Sequence, residues 1–104
     1  MIEAEIYKAL GDPIRLEIVK RLSARFTCNI GEISTNLGIS RQGARKQLQV
    51  LVNANVVHLA QRGRQTVVTL DTKTLEIARA YISQLERQWD ARLEALKQFV
   101  EEPG

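Results

Sequence analysis

Apolar side chains recur every three or four positions through the first part of the chain, which predicts a series of short helices. Residues 2–10 carry the first apolar series, and Gly11 follows at a position suited to a left-handed helix end. Asp12 is a good N-cap and Pro13 a good first helical residue, so a second helix is expected to begin there. It continues the same spacing over residues 14–22.

Two further helices are predicted within residues 29–54. Asn29 and Glu32 have the spacing of a capping box, so one helix is expected to begin there and to run through Leu37. After a break, Ser40 is the expected N-cap of the next helix. The buried stripe of that helix is predicted to be Ala44, Leu48, Leu51 and Val52.

The periodicity changes at Asn55, which is expected to end the helix in a left-handed conformation. Residues 56–60 and 65–71 are rich in Val and Thr, and the second run alternates apolar with polar, which predicts a β-hairpin with a basic tip. Residues 72–101 contain no Gly or Pro and place apolar side chains at steps of three or four. They predict one long amphipathic helix.

These elements define the expected fold class: mainly α with a small β-hairpin, arranged as a winged helix-turn-helix with about five helices and a two-stranded wing. Residues 1–104 are predicted to form a single domain. Within it, residues 29–54 would be the helix-turn-helix, residues 55–71 the wing, and residues 72–101 a C-terminal dimerisation helix.

The charge is distributed unevenly along the chain. The 15 Lys and Arg against 12 Asp and Glu give a formal net charge of only +3. Between Glu32 and Asp71, however, there is no acidic residue, and this segment carries five basic side chains. A basic band of this kind indicates contact with a polyanion.

The predicted second helix of the helix-turn-helix presents polar side chains opposite its buried stripe. In such a unit this helix enters the major groove of DNA, where Arg pairs with guanine and Gln with adenine. Ser40 and the helix N-terminus would donate to a phosphate. The outward positions of the helix are Arg41, Gln42, Arg45, Lys46 and Gln49. At the hairpin tip, Arg62 and Arg64 would reach the DNA backbone or the minor groove.

Several segments together resemble the ArsR family of winged-helix repressors. Residues 9–22 (ALGDPIRLEIVKRL) look like its opening signature, and residues 31–42 are similar to its helix-turn-helix. Residues 48–51, followed by Val56 and Val57, resemble the exit from its recognition helix, and residues 62–64 its wing tip. Residues 88–96 (QWDARLEAL) resemble the last helix of one branch that does not sense metals.

The resemblance implies a homodimeric repressor that binds double-stranded DNA in the cytoplasm of a bacterial or archaeal cell, at the nucleoid. The absence of a secretory signal and of a long apolar run agrees with that location and with no membrane partner. Positions matching the family's DNA contacts are Ser40, Arg41, Gln42, Arg45, Lys46, Gln47, Arg62 and Arg64. The family often has Ser at position 45 and His at position 47.

Neither a metal site nor a catalytic site is expected, and no cofactor is implied. Cys28 has no second Cys, and the predicted last helix contains no His. The carboxylates of Glu86, Asp90 and Glu94 share a face, but a zinc site needs about four suitable ligands. Cys28 and His58 lack the orienting partner of a nucleophilic pair. The effector remains unassigned.

The long last helix predicts a homodimer. Over residues 73–101 it would run about 43 Å, whereas a globule of this size has a radius of gyration near 13 Å. Its apolar side chains would leave an exposed patch unless a second chain covered them. The residues expected at this interface are Ile2, Ile6, Leu75, Ile82, Leu85, Trp89, Leu93 and Leu96.

Two alternatives stay open at the level of the sequence. The same DNA-binding module could respond to oxidation of Cys28, which lies close to a predicted helix N-terminus. Alternatively, the fold could serve as a protein-interaction module that never binds nucleic acid. The charge asymmetry of residues 33–70 disfavours that second alternative.

Overall fold

A computed structural model describes residues 1–25 and 27–101 of the chain. Over these residues the backbone forms five helices and three strands. The helices are α1 (Ile2–Leu10), α2 (Pro13–Arg25), α3 (Ile30–Ser34), α4 (Arg41–Asn53) and α5 (Thr72–Glu101). The strands are β1 (Thr27–Asn29), β2 (Val57–Arg62) and β3 (Gln65–Leu70). The mainly helical architecture with a hairpin after α4 confirms the predicted fold class.

The predicted caps account for where most helices begin. The Asp12 carboxylate accepts from the backbone N–H groups of Ile14 and Arg15 at 2.8 and 3.1 Å, which starts α2. Asn29 and Glu32 form the reciprocal capping box of α3. The Ser40 hydroxyl accepts from the N–H of Gly43 at the start of α4.

Helix α4 ends as predicted at Asn55, which has a φ of 61°. The N–H of Asn55 donates to the carbonyl of Val52, and that of Val56 donates to Leu51, both at 2.9 Å. This is the paired bond pattern of a Schellman motif. By contrast, Gly11 has a φ of −81°, so the left-handed conformation expected at the end of α1 is not adopted.

The hairpin of β2 and β3 is part of a three-stranded antiparallel sheet in the order β1-β3-β2. The third strand was not predicted: Cys28 in β1 pairs with Val68 in β3. A two-residue turn, Gly63 and Arg64, joins β2 to β3. Gly63 has a φ of 62°, as the first central residue of a type II′ turn requires.

Helices α1, α2, α3 and α4 and the sheet share one hydrophobic core. Its fully buried side chains include Ile18 and Leu22 of α2, Leu48 and Leu51 of α4, and Val68 of β3. Sixteen hydrophobic residues of the described chain are buried in this cluster, and Ile6 is among those with no exposed surface.

Helix α5 packs on the core only through its first three turns. Thr74 and Ala78 are buried, and the Tyr7 hydroxyl of α1 donates to the carbonyl of Ala78. Every residue from 84 to 101 is exposed. The described chain therefore has a radius of gyration of 19.0 Å and a longest dimension of 72 Å, against about 13 Å for a globule of this length. Pro103, beyond the predicted end of the helix, lies outside the described residues.

Candidate nucleic-acid interface

The exposed basic residues of the central segment make no ion pair within the described part of the chain, whose ion pairs involve Arg21, Arg25, His58 and Arg79. We call this set the basic face. It comprises Arg41, Arg45, Lys46, Arg62 and Arg64, all of them exposed. Because cations that meet no anion of their own chain remain available to another molecule, the basic face is the candidate site for a polyanion.

Helix α4 presents the basic face because its other side is anchored in the core. Ala44, Leu48 and Leu51 are buried, so the side chains at positions 41, 42, 45, 46 and 49 point to solvent as predicted. Gln49 donates to the side chain of Asn53 at 2.8 Å, which fixes it along the helix surface. Ser40 is exposed, and its hydroxyl oxygen caps the helix.

Gln47 does not join this set. It is half-buried, and its amide oxygen accepts from the guanidinium of Arg15 at 2.7 Å. Arg15 also donates to the carbonyl of Ala9 and ties α2 to the end of α1. The assignment of Gln47 to DNA contact, which rests on the resemblance, is therefore not supported by its position, because the side chain is engaged within its own chain.

Gly43 has a packing reason that the sequence did not reveal. A Cβ atom at this position would lie 3.2 Å from the Ser40 hydroxyl oxygen and 3.6 Å from the Cβ of Ile39. The Ser40 oxygen is held there by the N–H of Gly43 itself. The glycine therefore leaves room for the cap and the turn before it.

Arg21 fixes the turn between α3 and α4. Its guanidinium donates to the carbonyl of Ile33 at 3.1 Å, to that of Asn36 at 3.3 Å, and to that of Thr35. Asn36 and Gly38 both have positive φ, so this turn cannot continue α3 and needs other hydrogen-bond partners. Sequence reasoning missed Arg21 because the pattern of α2 does not show which distant carbonyl groups lie beside its polar side chains.

A cleft of about 190 Å³ lies between α4, the start of α3 and the wing. Three members of the basic face line it: Arg41 and Arg45 from α4, and Arg64 from the turn of the hairpin. Arg62 and Lys46 are not among its lining residues. Residues Asn29, Ile30, Gly31, Gln65 and Thr66 complete the wall, which contains no carboxylate.

The wing is held to the start of α5 by a hydrogen bond between side chains. The Nε2 atom of His58 in β2 lies 2.6 Å from a carboxylate oxygen of Asp71. The other Asp71 oxygen accepts from the backbone N–H of Thr74 at 3.0 Å and caps α5. The Thr74 N–H first, and the His58 ring second, hold the pKa of Asp71 below its ordinary value.

The predicted dimer residues separate into two groups. Ile6 is fully buried in the core of its own chain, and Leu75 is half-buried against that core, so Ile6 has no surface left for a second chain. The other six remain between 45 and 60% exposed: Ile2, Ile82, Leu85, Trp89, Leu93 and Leu96. Five of these lie on one stripe of α5.

The structure gives little support to chemistry at Cys28. The side chain is 4% exposed and lies within β1 rather than at an open helix end. Within residues 1–25 and 27–101, no three His, Cys, Asp or Glu side chains are grouped so that they could hold a metal ion. No helix of the described chain is long and apolar enough to cross a bilayer.

Comparison with known proteins identifies the family. A model described as bacterial regulatory protein, arsR family, matches residues 12–58. The HTH-type transcriptional regulator Rv2034 of Mycobacterium tuberculosis is 32% identical over 94% of this chain and 88% of its own length. The chain belongs to the ArsR family. It is accordingly a transcriptional regulator with a winged helix-turn-helix DNA-binding domain, and neither the family nor the fold is that of an enzyme.

Solved structures agree with this membership. The ArsR-like transcriptional regulator from Rhodococcus sp. RHA1 superimposes with a TM-score of 0.82 at 28% identity, covering 98% of this chain and 95% of its own. A homodimeric winged helix-turn-helix DNA-binding domain from Mycobacterium bovis, Mb0332, gives a TM-score of 0.61 at 24% identity. That match covers 88% of this chain and 82% of the other, and it supports the fold.

Proposed function

We propose that this ArsR-family chain acts as a homodimeric repressor that binds an inverted-repeat operator through α4 and the wing. The observation that carries the proposal is the basic face, five cations that form no ion pair within residues 1–25 and 27–101 and that lie on the two elements a winged helix-turn-helix presents to DNA. Occupation of a promoter by such a dimer would exclude RNA polymerase.

The contact residues divide by chemistry. Gln42 and Gln49 are exposed on α4 and have the amide groups that pair with adenine edges in the major groove, and Gln49 would exchange its bond to Asn53 for the base. Ser40 lies at the N-terminus of α4, where a hydroxyl donates to a phosphate. Lys46 and Arg62 are exposed cations suited to contacts along the DNA backbone.

Dimerisation is proposed through α5, with help from Ile2. The exposed apolar stripe of α5 extends beyond the core of its own chain, and a second copy is the partner that twofold pairing supplies. The M. bovis domain of similar fold is described as homodimeric, which is consistent with pairing of two copies. Two copies of α4 related by a twofold axis would enter grooves about one helical turn apart, or a multiple of it.

Selection of bound duplexes from a random-sequence pool tests the proposal. We expect recovery of an inverted repeat, and we expect Gln42→Ala to cost about 1–3 kcal/mol on that repeat while leaving binding to unrelated DNA unchanged. The matched control is Arg62→Ala, which should weaken binding to all duplexes alike. Failure to enrich any duplex would contradict the proposal and favour the protein-interaction module.

A further inference from the structure

The cleft between α4 and the wing separates the basic face into two sets with different surroundings. Arg41, Arg45 and Arg64 line it together, whereas Lys46 and Arg62 lie outside. Arg41 and Arg45 are four positions apart and therefore occupy the same side of α4. Arg64 approaches from a different element, the two-residue turn of the hairpin.

This arrangement is unfavourable for the free protein. Like charges at positions i and i+4 of a helix repel each other, and the third guanidinium on the same cleft adds to the repulsion. Within the described chain the three guanidiniums form no ion pair, and the cleft wall has no carboxylate to neutralise them. An anion bound in the cleft would attract all three guanidiniums and would make the net electrostatic energy of the site favourable.

The geometry of the hairpin keeps Arg64 close to the cleft. The Thr66 hydroxyl donates to the amide oxygen of Gln61 at 3.0 Å, and the Gln61 amide donates to the carbonyl of Gly63 at 3.1 Å. The first bond joins the two strands of the hairpin, and the second joins β2 to the turn that carries Arg64. The cleft is therefore bordered by a hairpin with an internally bonded turn and by a helix anchored in the core.

We infer that this cleft holds one backbone phosphate of each DNA half-site, gripped by Arg41, Arg45 and Arg64 together. Guanidinium groups bind phosphate through paired N–H donors, and the site offers three of them without a competing carboxylate. The inference rests on the proposed function. It assigns Arg41 and Arg45 to backbone binding, in place of the guanine contacts that their position on α4 first suggested.

If the three arginines bind one phosphate, the loss of DNA affinity caused by replacing any of them should depend on that phosphate. The test uses the selected operator duplex and a variant in which one phosphate per half-site is replaced by an uncharged methylphosphonate, scanned position by position. At one position we expect the substitution to weaken wild-type binding about tenfold, the loss typical of a charged hydrogen bond. On that duplex, Arg45→Ala and Arg64→Ala should cause little further loss.

Arg62→Ala is the matched control, since it removes the same charge from the same hairpin outside the cleft. It should weaken binding to that modified duplex as much as to the unmodified operator. Arg45→Ala should also weaken binding to operator and unrelated duplexes by the same factor. The thermal midpoint of the free Arg45→Ala protein should be unchanged or higher, because the guanidinium makes no ion pair in the described chain.

The inference is overturned if the wild-type protein binds its operator but the two variants respond to different phosphates. In that case the methylphosphonate that removes the effect of Arg45→Ala would not be the one that removes the effect of Arg64→Ala. A loss by Arg45→Ala on the operator alone would also overturn it, because that pattern indicates base recognition. In both cases the proposed repressor function would stand. If the wild-type protein bound no duplex at all, the proposed function and this inference would fail together.

Discussion

Single side chains set the shape of the helix-turn-helix as much as its apolar core does. Arg21 satisfies carbonyl groups in the turn after α3, a helix of only five residues. Its guanidinium also bonds Glu17 at 3.2 Å, so the donor group is oriented from within α2. Arg21, which has no part in the basic face, thus adds to the core contacts that position α4 relative to α2 and α3.

Replacement of Arg21 by Ala should lower the free energy of unfolding by about 2 kcal/mol. Carbonyl groups of the turn would lose a charged donor, and hydrogen bonds to a charged group contribute about 1.5–3 kcal/mol. Urea denaturation followed by circular dichroism measures the change. The control is Arg25→Ala, whose ion pair with Glu32 is exposed on both sides and should contribute less than about 1 kcal/mol. Equal losses for the two variants would contradict the role given to Arg21.

Asp71 gives the protein a stability term that depends on pH. Its pKa is lowered in the folded state by the Thr74 N–H and by His58. A lowered folded pKa means that the stabilisation is complete above the ordinary aspartate pKa of about 3.9, and is lost as the pH falls through the folded value. Asp71→Ala should therefore cost about 1 kcal/mol at pH 6, as for the loss of a helix cap.

The measurement is the free energy of unfolding of wild type and Asp71→Ala between pH 6 and pH 2.5. We expect the difference between the two proteins to shrink on the acid side. His58→Ala is a useful companion variant, since it removes only the second contact and leaves the Thr74 bond in place. A difference that grew as the pH fell would show that the sign assigned to Asp71 is wrong.

At the scale of elements, the sequence predicted those helix boundaries that depend on interactions between residues close together in the chain. The caps at Asp12, Asn29 and Ser40, the left-handed Asn55 and the long α5 all follow from neighbours within five positions. The strand β1 does not. It is three residues long and pairs with β3, about forty positions away. Three residues are too few to show the alternation from which a strand is predicted.

The same reasoning explains the partial prediction of the interface. Exposure of the α4 face followed from helical periodicity, but the grouping of Arg41 and Arg45 with Arg64 depends on how the hairpin packs beside α3. The contact of Gln47 with Arg15 is likewise non-local. Ile6 shares the helical spacing of Ile2, yet periodicity alone does not distinguish a face covered by α5 of the same chain from one left for a partner.

The proposed assembly depends on helix α5. Leu93→Glu places a charge on the exposed apolar stripe, and we expect it to shift sedimentation from a mass twice 11.8 kDa towards the single-chain value. Ala91→Glu adds the same charge on the opposite side of the helix and should leave the mass unchanged. Both residues are exposed, so neither variant disturbs the core. A Leu93→Glu protein that stayed dimeric would exclude this stripe as the interface.

At the scale of the whole molecule, the basic face and the exposed apolar stripe lie on different parts of the fold. The body formed by α1 to α4 and the sheet carries the basic face, while the free part of α5 extends the described chain to 72 Å. Pairing through α5 would double the five cations of the central segment and place both sets on one assembly. DNA affinity would then depend on dimerisation as well as on the charges themselves.

The salt dependence of DNA binding tests the central claim most directly. Fluorescence anisotropy on a selected duplex, from 50 to 400 mM salt, gives the slope of log K against log salt concentration. With up to ten basic side chains in a dimer, and each neutralised phosphate contributing about −0.9 to the slope, we predict a slope between about −4 and −9. A slope near zero would contradict the claim that the basic face binds the phosphate backbone of DNA.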